Sequence, residues 1–167
     1  YICNDNEGYM NSGTQRSSAT PLLAWTTTTP VMQPKENPKK DIMAIMADHQ
    51  IPYAATATIA YPEDFLRKME KAKKIRGTRF IHLLSPCPPG WRVPPELAIK
   101  ISRLAVRSRV FPLYEIENGR SYTLQEESQV VPVREYLKLQ GRFSHLTEQD
   151  IEETQGRVDE AWERFLR

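Results

Sequence analysis

Short apolar segments with strand character alternate with amphipathic helical segments through the first 117 residues, and this alternation constrains the fold more than any other feature. Residues 52–60 and 79–84 are strand-like, and proline-initiated helical patterns follow them at 62–76 and from residue 94. Alternating strands and helices form parallel sheets that are buried on both faces. The sequence therefore predicts an α/β fold with a doubly wound parallel sheet.

Two further segments extend the predicted sheet. Tyr1 to Cys3 has the character of the end of a buried strand, and residues 110–117 form another strand. Asn118-Gly119 is a strong hairpin signal that leads into a strand at 121–124. We therefore expect four apolar residues on neighbouring central strands: Ile2, Ala55, Ile81 and Leu113.

Helical patterns dominate the C-terminal part of the chain. Helices are predicted over residues 132–139 and 147–165, and the second begins with a capping-box pattern at Thr147 in which Asp replaces the usual Glu or Gln. We accordingly divide the chain into an α/β domain over residues 1–125 and a helical C-terminal extension over residues 126–167.

Composition excludes several classes of function. The 167 residues suffice for one domain with a real core, and a net charge of +2 without a basic run among exposed aromatics argues against nucleic acid as a partner. No stretch approaches the apolar length that spans a membrane, and the start has no signal-peptide pattern. Two cysteines at unrelated positions predict no disulfide framework, so we expect a reducing, cytoplasmic location.

A polar run, Asn4-Asp5-Asn6-Glu7-Gly8, directly follows the first strand. The carboxyl edge of an α/β sheet is the usual place for a ligand, and amide, carboxylate and backbone oxygens suit Mg²⁺. A polar turn without a ligand explains the same residues. Residues 20–40 lack a helical period and are predicted to form a long ordered loop over this site, before a short helix over 40–49.

Four collinear strings resemble the thiamine diphosphate-binding beta subunit of the pyruvate:ferredoxin oxidoreductases and related 2-oxo acid:ferredoxin oxidoreductases. They are residues 6–21 (NEGYMNSGTQRSSATP), 24–30 (AWTTTTP), 59–65 (IAYPEDF) and 85–91 (SPCPPGW). The resemblance extends from Tyr1 to about residue 156. Four strings in the right order are far more specific than any one of them.

The resemblance implies a role for individual residues. The Asn6 side chain and the Gly8 carbonyl would complete the coordination of the Mg²⁺ that holds thiamine diphosphate, and Asn11 would lie close to the reactive carbon of that cofactor as a catalytic residue. Cys87 would be the distant fourth ligand of a 4Fe–4S cluster. Prolines on both sides stiffen the Cys87 loop, as a fixed thiolate requires, although a lone cysteine is more often buried and inert.

The resemblance also implies a reaction and partners. The family oxidatively decarboxylates a 2-oxo acid to an acyl-coenzyme A and CO₂ with ferredoxin as electron acceptor, or runs in reverse, and its subunits of alpha, gamma and delta type assemble together. Pyruvate is the leading substrate, and a branched-chain 2-oxo acid is the alternative.

Two family features are missing from this chain. The diphosphate motif begins with Gly-Asp-Gly, and three cluster cysteines lie in the N-terminal half of the subunit, but the chain contains neither. We therefore interpret it as the C-terminal part of a longer subunit that does not hold the cofactor alone. A catalytically inactive fragment or assembly module, which keeps only the fold and the subunit interfaces, is the alternative function.

Overall fold

The computed structural model describes residues 1–125 and 127–166. Its strands are β1 (Ile2–Asp5), β2 (Tyr53–Thr58), β3 (Arg79–Leu84), β4 (Tyr114–Glu117) and β5 (Ser121–Leu124). Its helices are α1 (Ile42–Asp48), α2 (Pro62–Lys74), α3 (Pro88–Trp91), α4 (Ala98–Arg107), α5 (Val133–Leu137) and α6 (Glu148–Phe165), with 3₁₀ turns at Pro95–Leu97 and Gly141–Phe143. The strands form a single sheet in the order β1-β3-β2-β4-β5.

The centre of the sheet is parallel. Ile81 on β3 is in register with Ile2 on β1 and with Ala55 on β2, as the sequence predicts. Leu113 is buried but immediately precedes β4 instead of lying on it. Hydrogen bonds across the sheet therefore place three of the four predicted core residues on adjacent strands.

The predicted parallel direction does not hold for β4, whereas the predicted hairpin from β4 into β5 is present, so the sheet is mixed. β4 pairs with β2 in the antiparallel direction, and β5 pairs antiparallel with β4 through the predicted Asn118-Gly119 turn. Both turn residues have positive φ, 52° and 69°, as tight hairpin turns require. The chain reaches β4 from β3 through α4, which packs against α5 and in one cluster with Leu84, and β4 then runs opposite to β2.

Helices cover both faces of the sheet, which confirms the predicted layering. Met43 and Ala47 of α1 pack with Ala54 and Phe80 on one face. Ala72 of α2 packs on the opposite face, against residues that alternate with Ala54 along β2, namely Tyr53 and Ala55. Pro62 at the first turn of α2 needs no amide hydrogen, and Glu63 beside it suits the positive end of the helix.

The first strand is not buried as predicted. β1 has β3 as its only neighbour in the described sheet, and it therefore forms an edge. Tyr1 is 83% exposed and Ile2 43% exposed, although both are apolar. A local sequence pattern can identify a strand but not how many strands lie beside it. The burial of Tyr1 and Ile2 was overestimated for this reason.

The C-terminal helices contribute to the main core. Val133, Tyr136 and Leu137 of α5 are buried in one cluster with Leu84 and Trp91, so this part of the chain packs on the end of the sheet. α6 begins with the predicted capping box, in which Thr147 and Asp150 exchange hydrogen bonds. The division into 1–125 and 126–167 stays a prediction, and its first extension residue, Glu126, lies outside the described residues.

No helix of the described chain is both long enough and apolar enough to cross a lipid bilayer.

Candidate functional site

The polar turn after β1 lies at the carboxyl end of two parallel strands. The Ser85 amide, just beyond β3, donates to the Asp5 carbonyl at 2.9 Å, so the ends of β1 and β3 stay together. The Glu7 amide donates to Asp5 Oδ1 at 2.8 Å, and the Glu7 carbonyl accepts from Thr20 Oγ1 at 2.8 Å. Glu7 has φ 66°, a left-handed conformation that costs a residue with a side chain about 1 kcal/mol or more. The turn is therefore held by specific contacts.

The acidic side chain at the end of β1 is fully engaged. Asp5 is buried, and its Oδ2 accepts from His82 Nε2 at 2.7 Å and from Lys39 Nζ at 2.6 Å. Burial would raise the pKa of Asp5, but the hydrogen bond from His82 and the charge of Lys39 outweigh it and hold that pKa well below its usual range. Asp5 is thus an anchor for the turn, and His82 is its hydrogen-bond partner.

Glu7 is buried between two cations. Its Oε1 accepts from Lys39 Nζ at 2.7 Å and its Oε2 accepts from Arg142 at 2.6 Å. The Glu7 and Asp5 carboxylates together raise the pKa of Lys39 against the effect of burial, which acts in the opposite direction. Both carboxylates of the turn are therefore committed to side chains of this chain.

Asn6 and Gly8 differ from the two acids beside them, Asp5 and Glu7. The Asn6 carbonyl accepts from Trp91 Nε1 at 2.8 Å, but its side-chain amide has no hydrogen-bond partner within the described residues, and neither has the Gly8 carbonyl. A Cβ added to Gly8 would lie 3.0 Å from the Met10 methyl and 3.2 Å from the Gln15 carbonyl. The two oxygens that the family resemblance implies as Mg²⁺ ligands thus have no protein partner among the described residues.

Asn11 lies farther along the same loop. The backbones of Tyr9 and Gln15 pair at its base, and Asn11 is exposed near its tip. The structure therefore keeps Asn11 exposed on the loop that leaves the candidate site. Its catalytic role stays a prediction.

Cys87 follows β3 after two intervening residues and immediately precedes the short helix α3, and it is half-buried. A Cβ added to Gly90 would lie 2.2 Å from Met10 Sδ and 3.5 Å from Cys87 Sγ. Met10 therefore fills the space between the Gly8 turn and the Cys87 loop, and only glycine at position 90 leaves room for it. The structure brings Asn6, Gly8 and Cys87 to the same end of the sheet.

The donors at this end fit two different metals. Asn6 and Gly8 offer hard oxygens of the kind that Mg²⁺ prefers, and Cys87 offers a soft sulfur of the kind that iron–sulfur clusters use. In residues 1–125 and 127–166, no three His, Cys, Asp or Glu side chains gather into a metal-binding group. Asn6, Gly8 and Cys87 would accordingly each supply one ligand to a metal whose other ligands come from elsewhere.

The predicted loop over the site is present, and it contributes more than its composition indicated. Residues 20–40 contain no helix, and the loop delivers Thr20 and Lys39 to the turn. Sequence reasoning missed Lys39 and Arg142 and left the role of Trp91 open. Trp91 follows the cysteine motif closely, which was a usable signal, but no pattern in the sequence marks Arg142.

Curated relatives cover nearly the whole of this chain. It is 55% identical over 163 residues to the pyruvate synthase subunit PorB of Methanocaldococcus jannaschii, an alignment that covers 96% of this chain and 55% of that subunit. It is 52% identical over 171 residues to the ketoisovalerate oxidoreductase subunit VorB of Pyrococcus furiosus, covering 99% of this chain and 55% of that subunit. The chain thus spans about half the length of the curated relatives it matches. No protein-family model matches it.

A solved structure is similar in fold. It is a 2-oxoglutarate:ferredoxin oxidoreductase from Magnetococcus marinus with 2-oxoglutarate, coenzyme A and succinyl-CoA bound, and the match has a TM-score of 0.50 at 16% identity. The match covers 92% of this chain and 57% of that one, and it confirms the α/β fold class.

The relatives define the class of protein as a subunit of the 2-oxo acid:ferredoxin oxidoreductase family, which confirms the resemblance predicted from the sequence. Within that class, the chain corresponds to part of a subunit of the PorB or VorB type.

Proposed function

We propose that this chain is part of the thiamine diphosphate-binding subunit of a multi-subunit oxidoreductase. The enzyme would oxidatively decarboxylate a 2-oxo acid to an acyl-coenzyme A and CO₂ with ferredoxin as acceptor, or catalyse the reverse. The observation that carries this proposal is the turn after β1, in which Asp5 and Glu7 are fully bonded while the Asn6 amide and the Gly8 carbonyl have no partner within the described chain.

Asn6 and Gly8 would each give one oxygen to the Mg²⁺ that binds together with thiamine diphosphate. Mg²⁺ demands a nearly ideal octahedral arrangement, so the ligand positions need a rigid backbone. Glu7 between them supplies that rigidity, because its carboxylate, amide and carbonyl are all hydrogen-bonded. When bound, thiamine diphosphate and the 4Fe–4S cluster supply the carbon chemistry and the one-electron steps, which no protein side chain provides.

Cys87 would ligate the 4Fe–4S cluster together with cysteines from outside this chain. Its half-buried thiol lies beyond β3, separated from the Gly8 turn by Met10. This arrangement would place the cluster ligand beside the cofactor turn, as electron transfer from cofactor to cluster requires. Ferredoxin would then accept the electrons.

Asn11 would act at the substrate. Its amide, exposed on the loop beyond the turn, could donate a hydrogen bond to the 2-oxo acid. We infer pyruvate as the first candidate and a branched-chain 2-oxo acid as the second, because the relatives are named for pyruvate and for ketoisovalerate. Coenzyme A and the other oxidoreductase subunits complete the proposed partners. Two free cysteines fit the reducing cytoplasm predicted from the sequence.

The test compares two asparagines in the complete enzyme that contains this chain. Asn6→Ala should weaken the binding of thiamine diphosphate in the presence of Mg²⁺ by about tenfold or more, since a rigid Mg²⁺ site cannot replace a lost oxygen. Asn4→Ala is the matched control, because Asn4 is exposed on β1 outside the turn.

Titration calorimetry on both variants decides the question. Equal affinities for thiamine diphosphate in wild type, Asn4→Ala and Asn6→Ala would show that Asn6 only forms the turn and does not bind the metal. A complete enzyme that binds no thiamine diphosphate at all would favour the alternative of an inactive assembly module.

A further inference from the structure

We propose that Arg142 is a positioning residue for the magnesium site, acting through Glu7 on the two residues that flank it. This inference rests on the proposed function of Asn6 and Gly8. It concerns a residue 135 positions away from Glu7, in the 3₁₀ turn that follows α5.

The conformation of Glu7 requires an external anchor. Its φ of 66° is unfavourable for a residue with a side chain, and its carboxylate is only 4% exposed. A buried carboxylate without cations would turn towards solvent, because desolvating an unpaired charge is strongly unfavourable. Any such rotation at Glu7 redirects the Asn6 side chain and the Gly8 carbonyl, since they are its immediate neighbours.

Arg142 is built into the core as that anchor. Its side chain is 2% exposed, and Glu7 is its one carboxylate partner in the described chain. Its Nε donates to Gln140 Oε1 at 2.9 Å, which fixes the plane of the guanidinium. Lys39 cannot replace it, because Lys39 is partly exposed and divides its charge between Glu7 and Asp5.

Trp91 connects the same anchor to Asn6. The Arg142 guanidinium carbon lies 3.7 Å from the centre of the Trp91 ring, and the Trp91 indole donates to the Asn6 carbonyl at 2.8 Å. Arg142, Glu7, Asn6 and Trp91 therefore form a closed ring of contacts. Arg142 binds Glu7 directly, and it contacts Trp91, which binds Asn6. The two residues joined by the Asn6–Glu7 peptide bond are therefore both held by contacts that lead to Arg142.

The experiment measures Mg²⁺ affinity in the complete enzyme at saturating thiamine diphosphate. Arg142→Met keeps the length and apolar bulk of the side chain but removes the charge, and we expect the apparent Kd for Mg²⁺ to rise about tenfold or more. Arg142→Lys restores the charge opposite Glu7 and should recover most of the affinity.

Two further variants complete the design. Arg134→Met removes an exposed ion pair with Glu148 from the same C-terminal segment and should leave Mg²⁺ affinity unchanged. Glu7→Gln tests the pair from its other side, should Arg142→Met not fold. An amide has one oxygen and one N–H₂ group, so it must face one of the two cations with a donor, and Mg²⁺ affinity should again fall about tenfold.

The outcomes separate the two proposals. Wild-type Mg²⁺ affinity in folded Arg142→Met, or in Glu7→Gln, overturns the positioning role. If Asn6→Ala weakens Mg²⁺ binding in the same assay while Arg142→Met does not, only the inference about Arg142 fails. If Asn6→Ala itself has no effect, the proposed function fails.

Discussion

The Trp91 indole donates its hydrogen to the carbonyl oxygen of Asn6 at 2.8 Å, and this bond joins the loop after β3 to the turn after β1. Trp91 is fully buried, and it ends the short helix that begins one residue after Cys87. The candidate cluster ligand and the candidate magnesium ligand are therefore connected through one rigid side chain. Changes in either loop should be detected at the other.

Cys87→Ala in the complete enzyme should remove or destabilise the 4Fe–4S cluster nearest the cofactor, because one iron loses its thiolate and alanine offers no donor. Binding of thiamine diphosphate should be affected less than electron delivery to ferredoxin. Iron analysis and low-temperature paramagnetic resonance of the reduced enzyme measure the effect. Cys3→Ala, at the other free cysteine, is the control. A full iron content with an unaltered spectrum in Cys87→Ala would make Cys87 an inert thiol.

Asn11→Ala should lower turnover without changing stability or cofactor affinity. The side chain is exposed, so its loss leaves no cavity. Loss of one hydrogen bond to a reacting group reduces the rate on the order of 100-fold. Steady-state kinetics with pyruvate measures the change, and Ser12→Ala on the same exposed loop is the control. Equal rates in the two variants would contradict the catalytic assignment.

Gly90→Ala should destabilise the protein by about 1–2 kcal/mol, because the new methyl group displaces Met10 from between the two loops. Most of this loss should disappear in the Met10→Ala background, where the space is empty. Urea unfolding of the two single variants and the double variant gives the coupling free energy. Additive effects would show that Met10 is not the obstacle.

Glu115 should make stability depend on pH in the acidic range. Burial alone would raise its pKa, but hydrogen bonds from Lys71, Arg67 and Tyr53 outweigh burial and lower the pKa to about 2 from 4.5. The stabilising contribution is therefore complete above about pH 4.5 and is lost as the pH falls towards 2, with an upper limit of about 3 kcal/mol.

Glu115→Gln should remove this part of the pH dependence. Unfolding free energies measured between pH 2 and 5 provide the test. Glu117→Gln is the control, since Glu117 shares Lys71 but is 41% exposed, and exposed ion pairs contribute at most about 1 kcal/mol. Identical pH profiles for Glu115→Gln and wild type would contradict the argument.

Gly156→Ala should stabilise the protein by about 0.5–1 kcal/mol. Gly156 lies inside α6, and an added Cβ would meet nothing within 4 Å, so only the backbone entropy of glycine is removed. Gly77→Ala should have the opposite sign, because Gly77 has φ 101° and an added Cβ would lie 2.9 Å from the Pro52 ring. Thermal unfolding of both variants measures the contrast. A shared sign would refute the backbone explanation.

Local sequence patterns correctly predicted several of the strands and helices. β3 has the predicted bounds of 79–84, β2 lies within the predicted strand at 52–60, and α2 starts at the predicted proline. These segments are buried on both faces or carry a helical apolar stripe, so their periodicity is unambiguous. The exposure of β1 and the direction of β4 were not predictable in the same way, because both depend on which strands lie alongside.

The same distinction between local and long-range features applies to the candidate site. Asn6, Gly8 and Cys87 could be named from short motifs, and the structure brings them to one end of the sheet. The contacts that hold them could not be named, since no periodicity or spacing relates Arg142 to Glu7. Such pairs appear only after the chain has folded.

The separation between Glu7 and Arg142 also sets an order of events during synthesis. Residue 7 leaves the ribosome 135 positions ahead of its partner, an interval on the order of 10 s at ordinary rates of translation. Throughout that interval the turn lacks Arg142, and for the first part of it β3, the strand that pairs with β1, has not been synthesised either. The nascent chain therefore carries an unfinished turn, and the arrangement described for residues 5–8 belongs only to the completed polypeptide.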